Sequence, residues 1–223
     1  MEIVEYPDAE MMMIDLANRL AGELRACLSV HDHASFAVPG GTTPAPIFDS
    51  LCAAELDWAR VHVLLTDERW VPDSSDRSNT ALIRRHLLTD RAAAATYVPL
   101  YTGQPAPEDA LAALEAALAP ELPLSVLLLG MGADMHTASI FPGADRLHDA
   151  LHGAASVVPM RAPGAAEPRL TLSARVLRDA MSTHIVITGA EKRAAIERAR
   201  HLSAEEAPVS VVLKQATVHW AES

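Results

Sequence analysis

Asp134 and His136 are the residues of this chain best suited to moving a proton: an acid and an imidazole separated only by Met135. Imidazole exchanges protons near neutral pH and is the commonest general base. A nearby carboxylate can orient the ring and stabilise its protonated form. The pair follows an apolar run, Val126-Leu127-Leu128-Leu129. That run is short and bounded by turn residues, so it reads as a fully buried strand. Gly130 and Gly132 flank Met131 at its end, where glycine lets the chain turn sharply and lets a ligand approach the backbone. Thr137-Ala138-Ser139 and Phe141-Pro142-Gly143 follow. Open α/β sheets hold their sites where strands end in this way. Ser139 lacks the G-x-S-x-G frame of a nucleophile elbow, so activation of water is expected rather than a covalent acyl-enzyme.

Two more strand ends carry polar clusters. Ser35 to Val38 reads as a strand, and Pro39-Gly40-Gly41-Thr42-Thr43-Pro44 as the loop after it. Thr43 is the expected cap of a helix running to about Leu56. Strand, Gly-Gly loop and helix make a generic anion site. A tight turn without a ligand explains the same residues equally well. Val61 to Leu65 is the next strand and empties into Thr66-Asp67-Glu68-Arg69-Trp70-Val71-Pro72. This segment reads as a solvated charge cluster or as part of a site, and its place at a strand end favours the site. His62 alternates within its strand and reads as a packed side chain rather than a ligand. Arg84, Arg85, Arg193, Arg198 and Arg200 read as solvated helix faces.

The remaining elements must position these groups. Ile3 to Tyr6 is strand-like, and Pro7-Asp8 offers a helix start. Met12, Leu16, Leu20, Leu24 and Leu28 recur every four residues and make one apolar helix face. Ser78-Asn79 starts a helix to about Leu88, and Glu108 to Leu118 is another. Arg161 to Pro168 is a loop, the most mobile part expected, and Ser173 to Ala180 a helix. Thr183 to Thr188 is a strand, Gly189 to about His201 a helix, and Thr217 to Trp220 the closing strand. Strands alternating with helices call for an α/β fold with a mostly parallel sheet covered on both faces. No repeat, linker or composition break divides the chain, so one domain over 1–223 is expected.

Composition narrows the classes. The chain has 223 residues, half of them apolar, enough for a sizeable core. The formal charge of −11 disfavours nucleic acid, and an anionic ligand would need a locally basic pocket. No apolar run approaches the roughly 18 residues of a membrane span. The acidic start, MEIVEYPDAE, is unlike a signal peptide, so a soluble cytoplasmic protein is expected. Cys27 and Cys52 fall in expected helices and read as reduced packing residues. No clustered cysteine pattern appears, and no metal is expected.

The stretch Leu129 to Gly143, LGMGADMHTASIFPG, resembles the signature of the 6-phosphogluconolactonases, LGxGxDGHTASLFPG. Residues 39–44, 66–72 with Ser78-Asn79-Thr80, Pro168 to Leu172, and Thr188 to Lys192 resemble further segments of that family in the same order. Together they cover most of the chain. The resemblance implies a Rossmann-like three-layer α/β/α fold, shared with the glucosamine-6-phosphate deaminases and lacking a dinucleotide site. It implies hydrolysis of 6-phospho-D-glucono-1,5-lactone to 6-phospho-D-gluconate without a cofactor, with a phosphorylated sugar lactone as the partner. His136 then takes the role of base, with Asp134 orienting it. Gly41, Thr42 and Thr43 hold the phosphate together with Arg169 and Lys192, and Gly40 is a further substrate-binding residue. Arg69 takes the phosphate or the oxyanion, and Asp67 takes sugar hydroxyls. Arg161 is a lesser candidate.

Met135 stands where the family has glycine. An ordinary backbone conformation is expected there, with the side chain packed beside the pocket. The deaminases instead run DGHIAFNEP, with a glutamate five residues past the histidine, a place taken here by Phe141. A non-catalytic sugar-phosphate sensor shares the fold, but it would normally carry a DNA-binding domain, and nothing basic is appended here.

Overall fold

Short apolar runs and four-residue apolar periods become strands and helices in close alternation. The computed structural model describes residues 1–223. In chain order they form β1 (Glu2–Tyr6), α1 (Ala9–Leu28), β2 (Ala34–Val38), α2 (Ala45–Leu51), β3 (Val61–Leu65), β4 (Asp67–Arg69), α3 (Asn79–His86), β5 (Thr96–Val98) and α4 (Leu111–Leu118). There follow β6 (Val126–Leu129), α5 (Leu147–His152), β7 (Val157–Met160), β8 (Arg169–Leu172), α6 (Ala174–Arg178), β9 (Ser182–Thr188), α7 (Ala190–Ala199) and β10 (Thr217–Ala221).

The main sheet has seven strands in the order β1-β10-β9-β6-β2-β3-β5, all parallel. Helices flank it, which gives the expected three-layer arrangement. Every residue of β2 and β6 is buried, as strands covered on both faces must be, and this is why they read as nearly unbroken apolar runs. Asp8 caps α1 by accepting the Met11 N–H at 2.8 Å. Met12, Leu16, Leu20 and Leu24 on that helix are fully buried, so the methionine there is core. No helix is long and apolar enough to cross a membrane.

β2 leads outward to β3, whereas its neighbour β6 leads to β9 on the other side. The two are paired with Phe36 opposite Val126. Strand order reverses between them, and the loops at their C-terminal ends bound a crevice of the kind where open α/β sheets bind ligands.

Three details depart from the sequence reading. Asp67-Glu68-Arg69, which the sequence reading assigns to no element, is a strand: β4, β8 and β7 form a separate antiparallel sheet, with Asp67 opposite Thr171 and Arg69 opposite Arg169. Its partner lies far along the chain, and a three-residue strand shows no usable periodicity. α2 is capped at Pro44 rather than Thr43 and stops at Leu51 rather than near Leu56. Gly41 turns the chain at φ +85°, which leaves Thr43 outside the first turn. α4 and α6 are shorter than expected, α4 because a 3-10 turn over Pro107–Ala110 precedes it.

A polar chain centred on the buried His184 and His219 ties α1 to the sheet edge. The Tyr6 hydroxyl donates to Asp15 at 2.7 Å and meets His219 Nδ1 at 2.9 Å. His219 Nε2 lies 2.9 Å from His184 Nδ1, and His184 Nε2 lies 2.9 Å from Glu23. Burial, reinforced by His184 and Arg19 and opposed by Asp15 and Glu23, pushes the His219 pKa down from 6.5 to about 4. The unfolded chain therefore binds the extra proton between those two values, so stability rises with pH across that window. Acidification from about 6.5 to about 4 is expected to cost about 1–3 kcal/mol through this group. The urea midpoint of His219→Gln, measured over the same range, should fall less steeply; an equal fall in both proteins would rule out His219 as the cause.

Candidate active site

β6 ends at Leu129, and Gly130 to Gly132 carry the chain over its C-terminal edge. The Gly132 N–H donates to the His136 carbonyl at 3.1 Å, and the Met135 N–H donates to the Gly132 carbonyl at 3.0 Å. This closes a tight loop over residues 132–136. A Cβ on Gly132 would overlap both the His136 ring and the Asp134 carboxylate, so the loop needs glycine there. Asp134 Oδ1 accepts the His136 backbone N–H at 3.1 Å and lies 2.5 Å from His136 Nδ1. Phe141 packs on the imidazole with ring centroids 4.4 Å apart. Nδ1 is thus engaged, and Nε2 is the nitrogen left for chemistry.

Met135 departs from expectation. Its φ is +65°, in the left-handed region, where an ordinary conformation was expected. The loop closure between Gly132 and His136 requires a residue of that hand, and a methionine held there costs of order 1–3 kcal/mol. Its carbonyl accepts the Val209 N–H at 3.0 Å, and its side chain packs on the hydrophobic core rather than lining the cleft.

The loop after β2 lies beside this one. Gly40 has no room for a side chain, because Asn79 fills the space a Cβ would occupy. Asn79 Nδ2 in turn donates to the Asp67 carbonyl at 3.0 Å. Glu68 anchors this corner. Its buried carboxylate accepts the backbone N–H groups of Arg69, Asn79 and Thr80 and the hydroxyls of Ser78 and Thr80, at 2.7–3.2 Å. Burial pushes its pKa up, and these hydrogen bonds oppose the shift. Asp67 accepts Ser139 Oγ at 2.6 Å and Thr66 Oγ1 at 3.3 Å, so Ser139 is a buried brace rather than a nucleophile.

Arg69 and Arg169 face each other across β4 and β8. Like charges opposed on neighbouring strands repel. Each guanidinium also leaves a buried Nε–H without a partner. Burial holds the Arg169 pKa below the ordinary guanidinium value, although Asp67 pulls the other way. Glu167 approaches Arg169 only to 3.8 Å and is held by Arg77 at 2.7 Å. Arg69 also donates to the Arg77 carbonyl at 2.8 Å, so the desolvated Arg169 guanidinium and the two unspent Nε–H groups form a local basic pocket on an acidic chain, which favours an anion. Lys192, in the first turn of α7, lines the same cleft and makes no ion pair.

Gly40, Gly41, Thr43, Asp67, Arg69, His136, Arg169 and Lys192 therefore line one cleft, with Asp134 attached through His136. Thr42 is exposed and does not line it. Arg161 lies outside as well, bound to Glu108 at 2.6 Å. Asn79 and Phe141 do line it and were not among the expected site residues. Asn79 had a signal, since it sits in the Ser78-Asn79-Thr80 segment.

A parallel sheet with its cleft at the switch point, an Asp–His pair on one lip and a cationic pair on another define a Rossmann-like α/β protein with a locally basic cleft. The chain belongs to the family of glucosamine-6-phosphate isomerases/6-phosphogluconolactonase, which it matches over residues 7–220. It is 41% identical to the 6-phosphogluconolactonase of Rhizobium meliloti, over 99% of this chain and 98% of that one. It is 40% identical to that of Pseudomonas aeruginosa, over 92% and 88%. Its structure resembles the crystal structure of a 6-phosphogluconolactonase from Shewanella baltica with a TM-score of 0.95 at 30% identity, covering 99% of this chain and 97% of the other.

Proposed function

We propose that this chain, acting as one unit over residues 1–223, hydrolyses 6-phospho-D-glucono-1,5-lactone to 6-phospho-D-gluconate, the second step of the oxidative pentose phosphate route. It does so in the cytoplasm and without a cofactor. The observation that carries the reading is the placing of the Asp134–His136 pair and the Arg69–Arg169 pair in one cleft. The names of the relatives supply the substrate.

His136 Nε2 takes a proton from water as its oxygen attacks the lactone carbonyl. Asp134 holds the ring by Nδ1 and stabilises the imidazolium. When the tetrahedral intermediate collapses, the bond from C1 to the ring oxygen breaks and His136 returns the proton to that oxygen. Arg69, Arg169 and Lys192 hold the phosphate away from the reacting carbon. Asp67, on the same wall, accepts sugar hydroxyls, and the glycine loop at Gly40 and Gly41 lets the substrate come close to the backbone.

The family name also covers isomerases, and opening an amino-sugar ring needs a second acid–base group near the histidine. Phe141 occupies that place and only packs on the ring. Glu68 is saturated by its five donors, and Asp67 is braced by Ser139 and Thr66. Rapid hydrolysis of freshly generated 6-phosphogluconolactone, corrected for its spontaneous rate, is expected alongside no measurable ammonia from glucosamine 6-phosphate. Comparable ammonia release would make the chain a deaminase instead.

A further inference from the structure

We infer that His33, His62 and Glu121 form a binding site for a divalent transition-metal ion of the zinc class, at the end of the sheet opposite the catalytic cleft. His33 immediately precedes β2, His62 is the second residue of β3, and Glu121 ends a 3-10 turn shortly before β6. Those three strands are neighbours in the sheet. All three residues therefore meet at its N-terminal edge, roughly a five-residue strand, or about 15 Å, from the loops that carry His136 and Gly40.

The donor set is that of zinc: two imidazole nitrogens and a carboxylate. His62 Nδ1 lies 2.9 Å and 3.0 Å from the two Glu121 oxygens, and His33 Nε2 lies 3.4 Å from Oε2. All the candidate ligand atoms lie within 4.8 Å of one another. Ligands about 2.0–2.2 Å from a tetrahedral ion stand about 3.3–3.6 Å apart, so little movement is needed. The imidazole rings stack with centroids 4.4 Å apart and planes 19° apart, both turned toward one carboxylate. Glu121 is only 6% exposed, yet no lysine or arginine pairs with it. A buried carboxylate without a strong cation is costly.

The frame around the three residues is already set. Arg60, just before β3, donates to the carbonyls of Leu28, His31 and Asp32 at 2.5–3.0 Å and so fixes the loop that presents His33. Ser35 and Ser125 exchange N–H to Oγ bonds, both 3.1 Å, pinning β2 to the segment that follows Glu121. A groove lined by Asp32, His33 and Glu121 opens the site to solvent, the side on which water would be the fourth ligand. Residues 33, 62 and 121 are too far apart in the chain to make a local motif, which is why spacing alone gave no expectation of a metal. His148 and His152, four apart on α5, are a poorer pair, since His152 Nε2 is held by exposed Glu205.

Binding would clip three strand entries together and stabilise the fold by mass action without touching the reaction. The test uses tag-free, chelator-stripped protein titrated with Zn²⁺ and Co²⁺. One equivalent should bind at micromolar concentration, with a tetrahedral-type Co²⁺ visible spectrum and a rise in melting temperature. His33→Ala and His62→Ala should each weaken binding at least about 10-fold to 100-fold and keep the turnover of the metal-free parent. His136→Ala should bind as the parent does. Should His62→Ala fail to fold, His33→Gln at the more exposed side carries the test. Absence of binding, binding unchanged in the His33 and His62 variants, or binding lost in His136→Ala would each overturn the assignment.

Discussion

His136→Ala is expected to lower turnover of the phosphorylated lactone by about 100-fold or more, the usual range for loss of a general base. The loop leaves no substitute. Asp134 is tied to the ring it orients, Ser139 is buried against Asp67, and Phe141 has no exchangeable proton. Binding of the product 6-phosphogluconate should change far less, because its phosphate is held on the opposite wall. The two readings come from stopped-flow turnover and from calorimetry on one protein preparation. Near-normal turnover removes His136 from the mechanism, and an equal loss of product affinity points to a collapsed loop instead.

Arg169→Ala carries the second large effect. Charge-assisted hydrogen bonds from a desolvated guanidinium contribute about 1.5–3 kcal/mol each, so kcat/KM for the phosphorylated lactone should fall about 100-fold. Unphosphorylated gluconolactone, which offers Arg169 no phosphate, should be hydrolysed at an unchanged slow rate. Lys192→Ala should act in the same direction and less strongly, as a mobile point charge without the bidentate fork of a guanidinium. The comparison of the two substrates is the measurement. Equal losses on both would show that Arg169 supports the fold or the chemistry rather than the phosphate.

The Asp134–His136 pair is legible in the sequence because its partners are two residues apart and follow a buried strand. The Gly40-Gly41 turn is legible for a similar reason, standing at a strand end, whereas Lys192 is reached only through the resemblance of Thr188 to Lys192 to a family segment. What stays hidden depends on distant pairing. β4 is a strand only because β8 lies beside it, and the opposition of Arg69 and Arg169 follows from that register. Thr42 and Thr43 look equivalent in a row of residues, yet the turn at Gly41 exposes one and puts the other in the cleft. Met135 misleads because propensity speaks for the residue alone, whereas the closure from Gly132 to His136 sets its backbone. Arg161 looks free until the fold supplies Glu108.

The pairing of Phe36 with Val126 has a consequence for how the molecule comes to life after synthesis. The two lips of the cleft belong to strands separated by much of the chain, and the cationic wall needs β4 and β8, which are farther apart still. Contacts of such long range form late and slowly, because the loop between them must first be closed. No piece that lacks β4 or β8 brings the Arg69–Arg169 pair to the His136 loop. A nascent chain is therefore expected to stay inert until β8 and Lys192, both in its last third, have been made.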